Sequence, residues 1–592
     1  EFRTQKPKAK KSRLGLFLYE KKRGGDVMEK TRKSLWVGLL VVILSHGILF
    51  GPSEAAVIHP EVGFLVLAPD RGFLGNEEVR DVYEEFAKEY SAALVFATNK
   101  KTGENLKNGI DVLKQKKVKK IWVLPLFLSP ANALYQKAVK ALSERKWGVP
   151  LKIGGTMKES YLIEEILKER IEDLSKTPSK EVLVVVGYGA FDPEGEAAIQ
   201  EDLEELVGRV NRSFRFRATE VLVMYDWIAE ETLRDDAFDR VVERVALNRA
   251  KGERVLVVPF NFGRKLTNMM AVWNWVKRRI SKYDKIAAGK DGILPHDNVG
   301  IWLKKEANRR LPLSDDEIGV VLMPHGSDFN WNETIRGNLT PLLDRYKVEY
   351  AFSMADPKVI ERAVERLEKR GARAIIVVRI FSLAASFREK TEYILGLNNH
   401  YRRGGKTMRI ASPAIFTTLG GVERSPLAAE VMLERAKGLS RDPKKETLIL
   451  LAHGTDNEER NNHWMENLSA LADTMRKNGG SAFRDIRYYT WREDWPDKRD
   501  ESVKIIRRMI EEAGRDGGTA IVVPERTAGQ GHGEKYFEGL KYRYATGFSP
   551  HPNFLKWVEE KIKEGKRVLQ AKVKEAGHLQ GEMTEHALLT AE

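Results

Sequence analysis

The chain has 592 residues, several times the length of a usual domain, so more than one hydrophobic core is expected. Hydrophobic residues make up 42% and charged residues 31% of it, and these proportions exclude an intrinsically disordered protein. The formal net charge is +15, and there is no cysteine, which excludes disulfides, thiolate metal ligands, iron–sulfur clusters and cysteine nucleophiles.

The amino-terminal region differs from the rest of the chain in charge and hydropathy. Residues 1–27 are rich in lysine and arginine, and we interpret them as a mis-assigned or disordered extension. Met28 opens a basic stretch that leads into a largely apolar run of 16 residues and a small-residue site ending at Ala55. Because the apolar run is shorter than the ~20 residues of a membrane span, residues 28–56 are predicted to be a secretory signal peptide. The expected mature chain is exported, periplasmic and not inserted in the membrane; the alternative is a signal anchor in the inner membrane.

The mature chain is expected to be mildly basic. Residues 1–56 hold twelve basic and five acidic side chains, so the remaining residues have a net charge of +8. Such a charge suits an anionic small-molecule ligand and does not require nucleic acid. We therefore predict no nucleic-acid partner.

Four similar segments recur along the remaining chain, each with a hydrophobic strand, a polar turn and the start of a helix. They read GFLVLAPDRGF, EVLVVVGYGAF, IGVVLMPHGSDF and TLILLAHGTDN. Their separation is about the length of one small α/β domain, and repetition at such a period predicts four related modules. The aligned turn residues are Pro69, Tyr188, His325 and His453.

A second hydrophobic strand follows in each module and ends at Pro125, Pro259, Arg379 or Pro524. The first and third modules share one spacing between the two strands, and the second and fourth share another, which indicates duplication of a two-module ancestor. Continuous apolar strands between amphipathic segments are typical of a parallel sheet covered on both faces. We predict an α/β fold of four modules, each a mostly parallel sheet flanked by helices, arranged as two pseudo-symmetric pairs.

Polar, proline-containing stretches precede the first strand of the last three modules and set the predicted boundaries. The first two modules lack the turn histidine and are expected to be degenerate, whereas the fourth is expected to hold a metal site. The predicted modules are residues 57–178, 179–311, 312–442 and 443–570, followed by a tail at 571–592.

Histidines carry the candidate chemistry. They occupy the turn only in the third and fourth modules, and only the fourth has a second histidine, His532, eight residues after its proline. Two imidazoles with open positions can hold Co²⁺, Fe²⁺, Ni²⁺ or Zn²⁺ without enclosing it, and imidazole also transfers protons near neutral pH. Ligands of parallel sheets bind beyond the carboxyl ends of the strands, where these turns lie. A structural role is the alternative for either histidine alone.

These turns, the sequence Pro125-Leu126-Phe127-Leu128 and the spacing from Pro524 to His532 resemble the sirohydrochlorin cobaltochelatase and ferrochelatase-like family of class II chelatases. The resemblance covers most of residues 61–565. It implies chelatase-like modules and a lyase that inserts a divalent metal, Co²⁺ first and Ni²⁺ or Fe²⁺ as alternatives, into an anionic, sirohydrochlorin-type tetrapyrrole. The metal is then a substrate, and no organic cofactor is implied.

The resemblance also implies residue roles. His453 and His532 match the metal-binding histidines that accept pyrrole protons, and Glu493 is the nearest match to an assisting acidic residue. His325 is either a further metal ligand from across the cleft between modules three and four or a relic. An anionic substrate needs basic contacts, although solvated helix starts have the same appearance. The candidates are Arg379, Arg388, Arg526 and Lys535.

Export argues against a biosynthetic chelatase, because siroheme and corrin synthesis is cytoplasmic in this family. A second interpretation is therefore an exported, non-catalytic protein that binds a metal or a tetrapyrrole in the same cleft. A third is a structural or partner-binding role, which scattered histidines would favour.

Overall fold

A computed structural model of the protein describes residues 57–262, 272–401, 407–531 and 533–578. The predicted extension and signal peptide lie outside these ranges, as do residues 579–592 of the predicted tail. The described residues form sixteen β-strands and sixteen α-helices. Among these helices, none combines the length and the apolar character that crossing a bilayer requires.

The first module is built on a four-stranded parallel sheet with the strand order β2-β1-β3-β4. Its first strand is buried along its whole length because helices cover both faces of the sheet. The elements are β1 (Val62–Pro69), α1 (Gly72–Ala87), β2 (Ala92–Ala97), α2 (Thr102–Gln115), β3 (Lys120–Pro125), α3 (Ala133–Ser143), β4 (Leu151–Ile153) and α4 (Tyr161–Glu172).

The second module repeats this arrangement, with the order β6-β5-β7-β8 and all strands parallel. Its longest helix is capped at the amino terminus by Asp192, whose side chain accepts a hydrogen bond from the Gly195 amide. The elements are β5 (Glu181–Ala190), α5 (Pro193–Phe214), β6 (Ala218–Tyr225), α6 (Glu231–Ala250), β7 (Arg254–Pro259), α7 (Val272–Ile280), β8 (Ile286–Ala288) and α8 (Asp297–Asn308).

The third module has the parallel order β10-β9-β11-β12. Asp328 caps the first helix by accepting a hydrogen bond from the Trp331 amide at 2.8 Å. The elements are β9 (Ile318–Pro324), α9 (Phe329–Leu339), β10 (Lys347–Tyr350), α10 (Pro357–Lys369), β11 (Ala374–Ile380), α11 (Arg388–Ile394), β12 (Ile415–Gly420) and α12 (Pro426–Leu439).

The fourth module has the parallel order β14-β13-β15-β16. Asn457 caps its first helix through the Arg460 amide at 2.9 Å. The elements are β13 (Glu446–Ala452), α13 (Glu458–Lys477), β14 (Asp485–Thr490), α14 (Pro496–Ala513), β15 (Thr519–Glu525), α15 (Gly533–Tyr536), β16 (Tyr542–Tyr544) and α16 (Pro552–His578).

The predicted fold class is confirmed: the protein is α/β, with four parallel-sheet modules flanked by helices. The first strand of every module is central in its sheet, and the strand after it is at one edge. Since all strands of a sheet are parallel, their carboxyl ends meet at one edge. The four aligned turns therefore lie at the carboxyl-end edges of their sheets, the edge at which open parallel sheets generally bind ligands.

The modules pack as two pairs that exchange their last helices. In the first pair, α4 packs on α5 and β7 of the second module, and α8 packs on α1 of the first. In the second pair, α12 packs on β15 and α13 of the fourth module, and α16 packs on β11 and β12 of the third. Each pair consequently has one hydrophobic core shared between its two modules. The predicted boundary at residue 570 falls inside α16, and Lys572 beyond it donates to the Phe416 carbonyl at 3.0 Å.

Buried polar contacts join the two pairs along the segment 409–414, which precedes β12. Arg409 binds Glu164 and Glu165 of the first module, each at 2.5 Å. Tyr161 donates to the Ile410 carbonyl at 3.0 Å. Lys305 donates to the carbonyls of Ser412 and Ala414, and burial lowers the pKa of this lysine to about 7. The two pairs are thus held together by charged groups withdrawn from water.

Candidate metal site at the edge of the fourth sheet

His453 follows β13 directly, in a turn that requires glycine at the next position. Gly454 has φ +74°, and a Cβ there would lie 2.8 Å from both Asn461 Oδ1 and Thr490 Cβ. A larger residue would therefore combine a left-handed backbone with steric overlap. This turn places the imidazole beyond the end of the central strand.

The hydrogen bonding of His453 determines which ring nitrogen faces outward. Nδ1 lies 2.9 Å from the Gly454 carbonyl oxygen, which can only accept, so Nδ1 is assigned as the donor. In the neutral ring Nε2 then has a free lone pair, as in metal-binding histidines whose other nitrogen donates to a backbone carbonyl. The side chain is 42% exposed, so Nε2 is accessible from the sheet edge.

Asp494 is the carboxylate nearest to this nitrogen, with Oδ2 at 3.4 Å from Nε2. A direct N–H···O hydrogen bond would measure about 2.7–3.2 Å. Nitrogen and oxygen ligands lie about 2.0–2.2 Å from a metal such as Zn²⁺, so two ligands of one tetrahedral ion are about 3.4 Å apart. The separation of Nε2 and Oδ2 matches that of two ligands of one ion.

The resemblance pointed to the neighbouring Glu493 as an assisting acid, and that role stays a prediction. The local backbone determines which of the two acids lies beside His453. Arg492 adopts a left-handed conformation, with φ +56°, unusual for a residue other than glycine. Its guanidinium donates to the carbonyls of Thr455 and Asp456, each at 2.7 Å. This bend brings Asp494 to His453, while Glu493 is half-buried in the same turn. Two adjacent acids before Pro496 were the available signal, but they do not reveal the turn.

Two tryptophans surround the His453 ring. Trp495 meets it edge-on with ring centroids 6.0 Å apart, and Trp464 lies at 6.3 Å. Aromatic contacts on two sides restrict rotation of the imidazole, so the direction of Nε2 is set by packing as well as by the hydrogen bond.

His532, the predicted second ligand, lies outside the described residues. The glycines on either side of it are closely packed: a Cβ at Gly531 would overlap the Arg526 guanidinium, and one at Gly533 would lie 2.5 Å from the Tyr544 ring. Lys535 is exposed, with its ammonium 5.8 Å from the Tyr536 ring centre. Arg526 and Lys535 thus flank the segment that was predicted to complete the site.

His325 occupies the matching turn of the third module. Its Nδ1 lies 2.7 Å from the Gly326 carbonyl, so the same nitrogen faces outward as in His453. Its ring contacts Phe381 edge-on at 6.3 Å. Among the described residues, no carboxylate lies within ion-pair distance of His325. The two histidine turns therefore share one geometry, but only that of the fourth module has an acidic partner.

The two remaining predicted basic residues differ in exposure. Arg379 is buried and donates to Thr418 Oγ1 and to the carbonyls of Ala384 and Ser386, at 3.1, 2.6 and 3.0 Å. Burial, assisted by the charge of Arg388, lowers its pKa to about 10. Arg388 is exposed and pairs with Glu392 at 2.8 Å. Arg379 thus holds the loop after β11, and contact with a substrate carboxylate stays a prediction for both arginines.

The turns of the first pair contain no imidazole. Arg71 follows Pro69, pairs with Asp226 at 2.7 Å and lies over the Tyr188 ring at 4.8 Å. Arg71 and Tyr188 line a small recess whose other walls include Phe127 and Phe260. Within the described ranges, no three histidine, aspartate or glutamate side chains are close enough to hold a metal ion together. A metal bound between His453 and Asp494 would therefore have only these two side chains as ligands from the described part of the chain.

Comparison with known families and structures gives one sequence match and several matches in fold. Residues 73–174 match the CbiX family model. This match falls on the first module, which the sequence analysis expected to be degenerate; tandem duplication and degeneracy stay predictions. No curated protein sequence matches the chain.

The solved structures that match include SirB from Bacillus subtilis with Fe³⁺, at 14% identity and a TM-score of 0.31, covering 40% of this chain and 92% of that one. Sirohydrochlorin chelatase SirB from Bacillus subtilis subspecies spizizenii, in complex with cobalt, has 12% identity, a TM-score of 0.30 and the same coverage. A periplasmic solute binding protein of an ABC transporter from Actinobacillus succinogenes 130z, with bound D-allose, has 17% identity and a TM-score of 0.21, covering 41% and 82%.

Proposed function

We propose that this protein is a chelatase that binds a divalent metal through His453 and Asp494 and inserts it into an anionic tetrapyrrole of the sirohydrochlorin type. The observation that carries the proposal is the pairing of an outward-facing Nε2 with a carboxylate oxygen at ligand–ligand distance. The CbiX match at residues 73–174 supports the chelatase chemistry. His532 is proposed as the further ligand and Glu493 as an assisting acid.

A site with few protein ligands suits insertion because the metal has to leave it. Imidazole and carboxylate ligands leave coordination positions open for pyrrole nitrogens, whereas four protein ligands would retain the ion. The exposed fractions of His453 and Asp494, 42% and 68%, leave their outer side open to a flat macrocycle. One face of the metal is then available to the substrate.

Insertion exchanges one divalent ion for two protons. Each pyrrole N–H bond that breaks leaves its electron pair on nitrogen for the metal, and the proton moves to a base at the sheet edge. Once the metal transfers, Nε2 of His453 and Oδ2 of Asp494 are both free to accept a proton. The same two groups therefore act first as ligands and then as bases.

The metal and the substrate contacts are the finer parts of the proposal. Co²⁺ is the first expectation, with Ni²⁺ and Fe²⁺ as alternatives, since imidazole and carboxylate bind all three. Carboxylates of the substrate are proposed to meet Arg388, Arg526 and Lys535, and Arg379 to shape the adjoining loop. If the predicted signal peptide directs export, a non-catalytic metal- or tetrapyrrole-binding protein is the alternative function.

The test compares Co²⁺ binding by calorimetry with insertion into sirohydrochlorin, followed by the shift of the macrocycle's absorption bands. His453→Ala and Asp494→Asn are expected to weaken Co²⁺ binding, and loss of a base is expected to slow insertion ~10²-fold or more. His325→Ala, in the matching turn without a carboxylate, and Glu493→Gln, beside the proposed ligand, are the controls and are expected to have smaller effects.

Three results are informative. Unchanged Co²⁺ affinity in both His453→Ala and Asp494→Asn would refute the site. A wild-type protein that binds Co²⁺ and tetrapyrrole but gives no rate above the uncatalysed reaction would establish the binding protein instead. Equal losses in Glu493→Gln and Asp494→Asn would show that the turn, and not one carboxylate, determines metal affinity.

A further inference from the structure

Glu525 is a buried acid in the contact between the third and fourth modules. It ends β15 and pairs in register with Ala452, the residue before His453. Because side chains alternate along a strand, Glu525 points to the same face as Ile521 and Val523, which belong to the core shared with the third module. Only 1% of Glu525 is exposed. We refer to this contact around Glu525 as the seam.

The other modules have apolar residues at the position of Glu525. The residue after the second-strand marker is Leu126 in the first module, Phe260 in the second and Ile380 in the third, and all are buried. Burying an acid at this position destabilises the fold, whereas burying leucine, phenylalanine or isoleucine there stabilises it. The cost indicates a role for Glu525 other than packing.

Among the described residues, no positively charged group pairs with Glu525. Neither carboxyl oxygen meets hydrogen-bond geometry with any described group. Two groups of the third module affect the pKa of Glu525: the Ser382 hydroxyl lowers it, and the like charge of Glu423 raises it. Glu423 is tied to the same loop, since its amide donates to the Ser382 carbonyl at 2.8 Å and its carboxylate accepts from the Ala384 amide at 2.7 Å.

The nearby cations along the chain are directed elsewhere. Arg379 alternates with Ile380 and therefore leaves β11 on the opposite face, where it binds loop carbonyls. Arg526 likewise follows Glu525 on the opposite side of its strand. His453 faces its own turn and Asp494. With the seam closed, burial chiefly and Glu423 in addition raise the pKa of Glu525 to about 8.

We propose that Glu525 couples closure of the seam between the third and fourth modules to the uptake of one proton. With the modules packed together, the carboxyl is neutral and fits an apolar contact. When they separate, water reaches the carboxyl, which ionises and is then repelled by Glu423. The proton is the only species exchanged, and it passes between the carboxyl oxygen and water.

The direction of the pH effect follows from linkage. The pKa of Glu525 has its ordinary value of about 4.5 in the open seam and rises to about 8 in the closed one. Between these two pH values the closed form therefore binds one proton more than the open form. Closure is therefore most favourable at the low end of this range and weakens as pH rises through it. A single linked proton changes the closing equilibrium by at most about tenfold per pH unit.

The consequence for metal insertion rests on the function proposed above. Insertion releases two protons at the sheet edge where β13 and β15 end, so proton release and seam closure would favour each other. The proton coupling itself does not depend on catalysis. It can be measured on the metal-free protein.

The test follows hydrogen–deuterium exchange of the loop 381–386 from pH 5 to 9, normalised to peptides of the first module to remove the intrinsic pH dependence of exchange. In the wild type, normalised exchange is expected to rise by up to about tenfold per pH unit. Glu525→Gln and Glu525→Leu, which keep the seam neutral, are expected to give a flat profile. The exposed Glu538→Gln is the control and is expected to match the wild type.

Infrared difference spectra give an independent readout of the same carboxyl. A protonated carboxyl band that titrates near pH 8 and is absent in Glu525→Gln is expected. A wild-type profile in Glu525→Gln, or no such band, would overturn the proposal. His453→Ala is expected to keep the pH-dependent exchange, so loss of metal binding together with retained coupling separates this inference from the proposed function.

Discussion

Arg409 offers a direct test of how the two pairs of modules are joined. Its side chain is 1% exposed, lies between the rings of Tyr161 and Tyr393 at 5.4 and 5.2 Å, and pairs with Glu164 and Glu165. Replacing it by methionine retains much of the packing of the stem but removes the guanidinium. Two carboxylates of the first module then lose a cation inside the interface.

The loss of stability in Arg409→Met depends on which ion pairs each carboxylate keeps. Removing one partner of a buried ion pair costs about 3–5 kcal/mol. Glu164 keeps its bond to Arg209, and Glu165 keeps Lys168 at 2.7 Å, so the cost is expected near the lower end. We expect Arg409→Met to destabilise the contact between the pairs by about 3 kcal/mol, roughly 150-fold in the opening equilibrium.

Native-state hydrogen exchange of the segment 407–414 and of α4, at low urea concentrations, measures this opening. Exchange is the appropriate assay because a chain with several cores does not unfold in one two-state step. The double variant Arg409→Met/Glu164→Gln is expected to recover part of the loss, since it removes one of the two buried carboxylates that lost Arg409, while Arg209 keeps Glu205 at 3.0 Å. A loss below 0.5 kcal/mol for Arg409→Met, on the order of a surface substitution, would refute the claim that this cluster joins the pairs.

Three further predictions follow. Gly454→Ala is expected to reduce the free energy of Co²⁺ binding by at least as much as the free energy of unfolding, because a Cβ would lie 2.8 Å from Asn461 and Thr490 and displace His453. Calorimetry measures the first quantity and thermal unfolding the second. Since burial lowers the pKa of Lys305 to about 7, the unfolded chain binds the extra proton between about pH 7 and 10.5, and stability should rise with pH there; Lys305→Met should abolish this component in urea midpoints measured across the range. Protein expressed from Met28 is expected to begin at Ala56 or within a few residues of it, and an intact Met28 in a membrane fraction, found by amino-terminal sequencing, would favour an anchor.

The modular architecture could be predicted from the sequence because it depends on local patterns. Continuous apolar runs such as that of β1 mark strands buried on both faces, and their repetition gives the number of modules. The same local information places His325 and His453 at sheet edges. Their outward-facing nitrogen was not predictable, because it depends on a hydrogen bond to the carbonyl of the following glycine.

The acidic partner of His453 could not be predicted because it depends on one backbone conformation. Arginine rarely adopts positive φ, and at Arg492 this conformation is stabilised by hydrogen bonds to another turn, Thr455–Asp456. The resemblance gave Glu493 as the nearest match, and its assisting role stays a prediction. The burial of Arg379 was missed for a similar reason, since the loop carbonyls that it binds are not evident from the strand pattern.

The exchange of last helices within each pair determines how the protein can be divided. A helix that is covalently attached to one sheet but buried by its neighbour cannot be removed without exposing apolar surface on both. A fragment that ends at the boundary between the two modules of a pair would keep a last helix but lack the neighbouring module that buries it. Its own sheet would also lack the helix that the other module supplies, so the fragment is expected to aggregate. Between α8 and β9, near residues 309–317, the extensive helix exchange seen within each pair does not recur among the elements that the structure describes. We therefore expect a pair of modules to be the smallest part of this chain that can fold, and gain or loss of a single module in evolution would require a new partner for the orphaned helix.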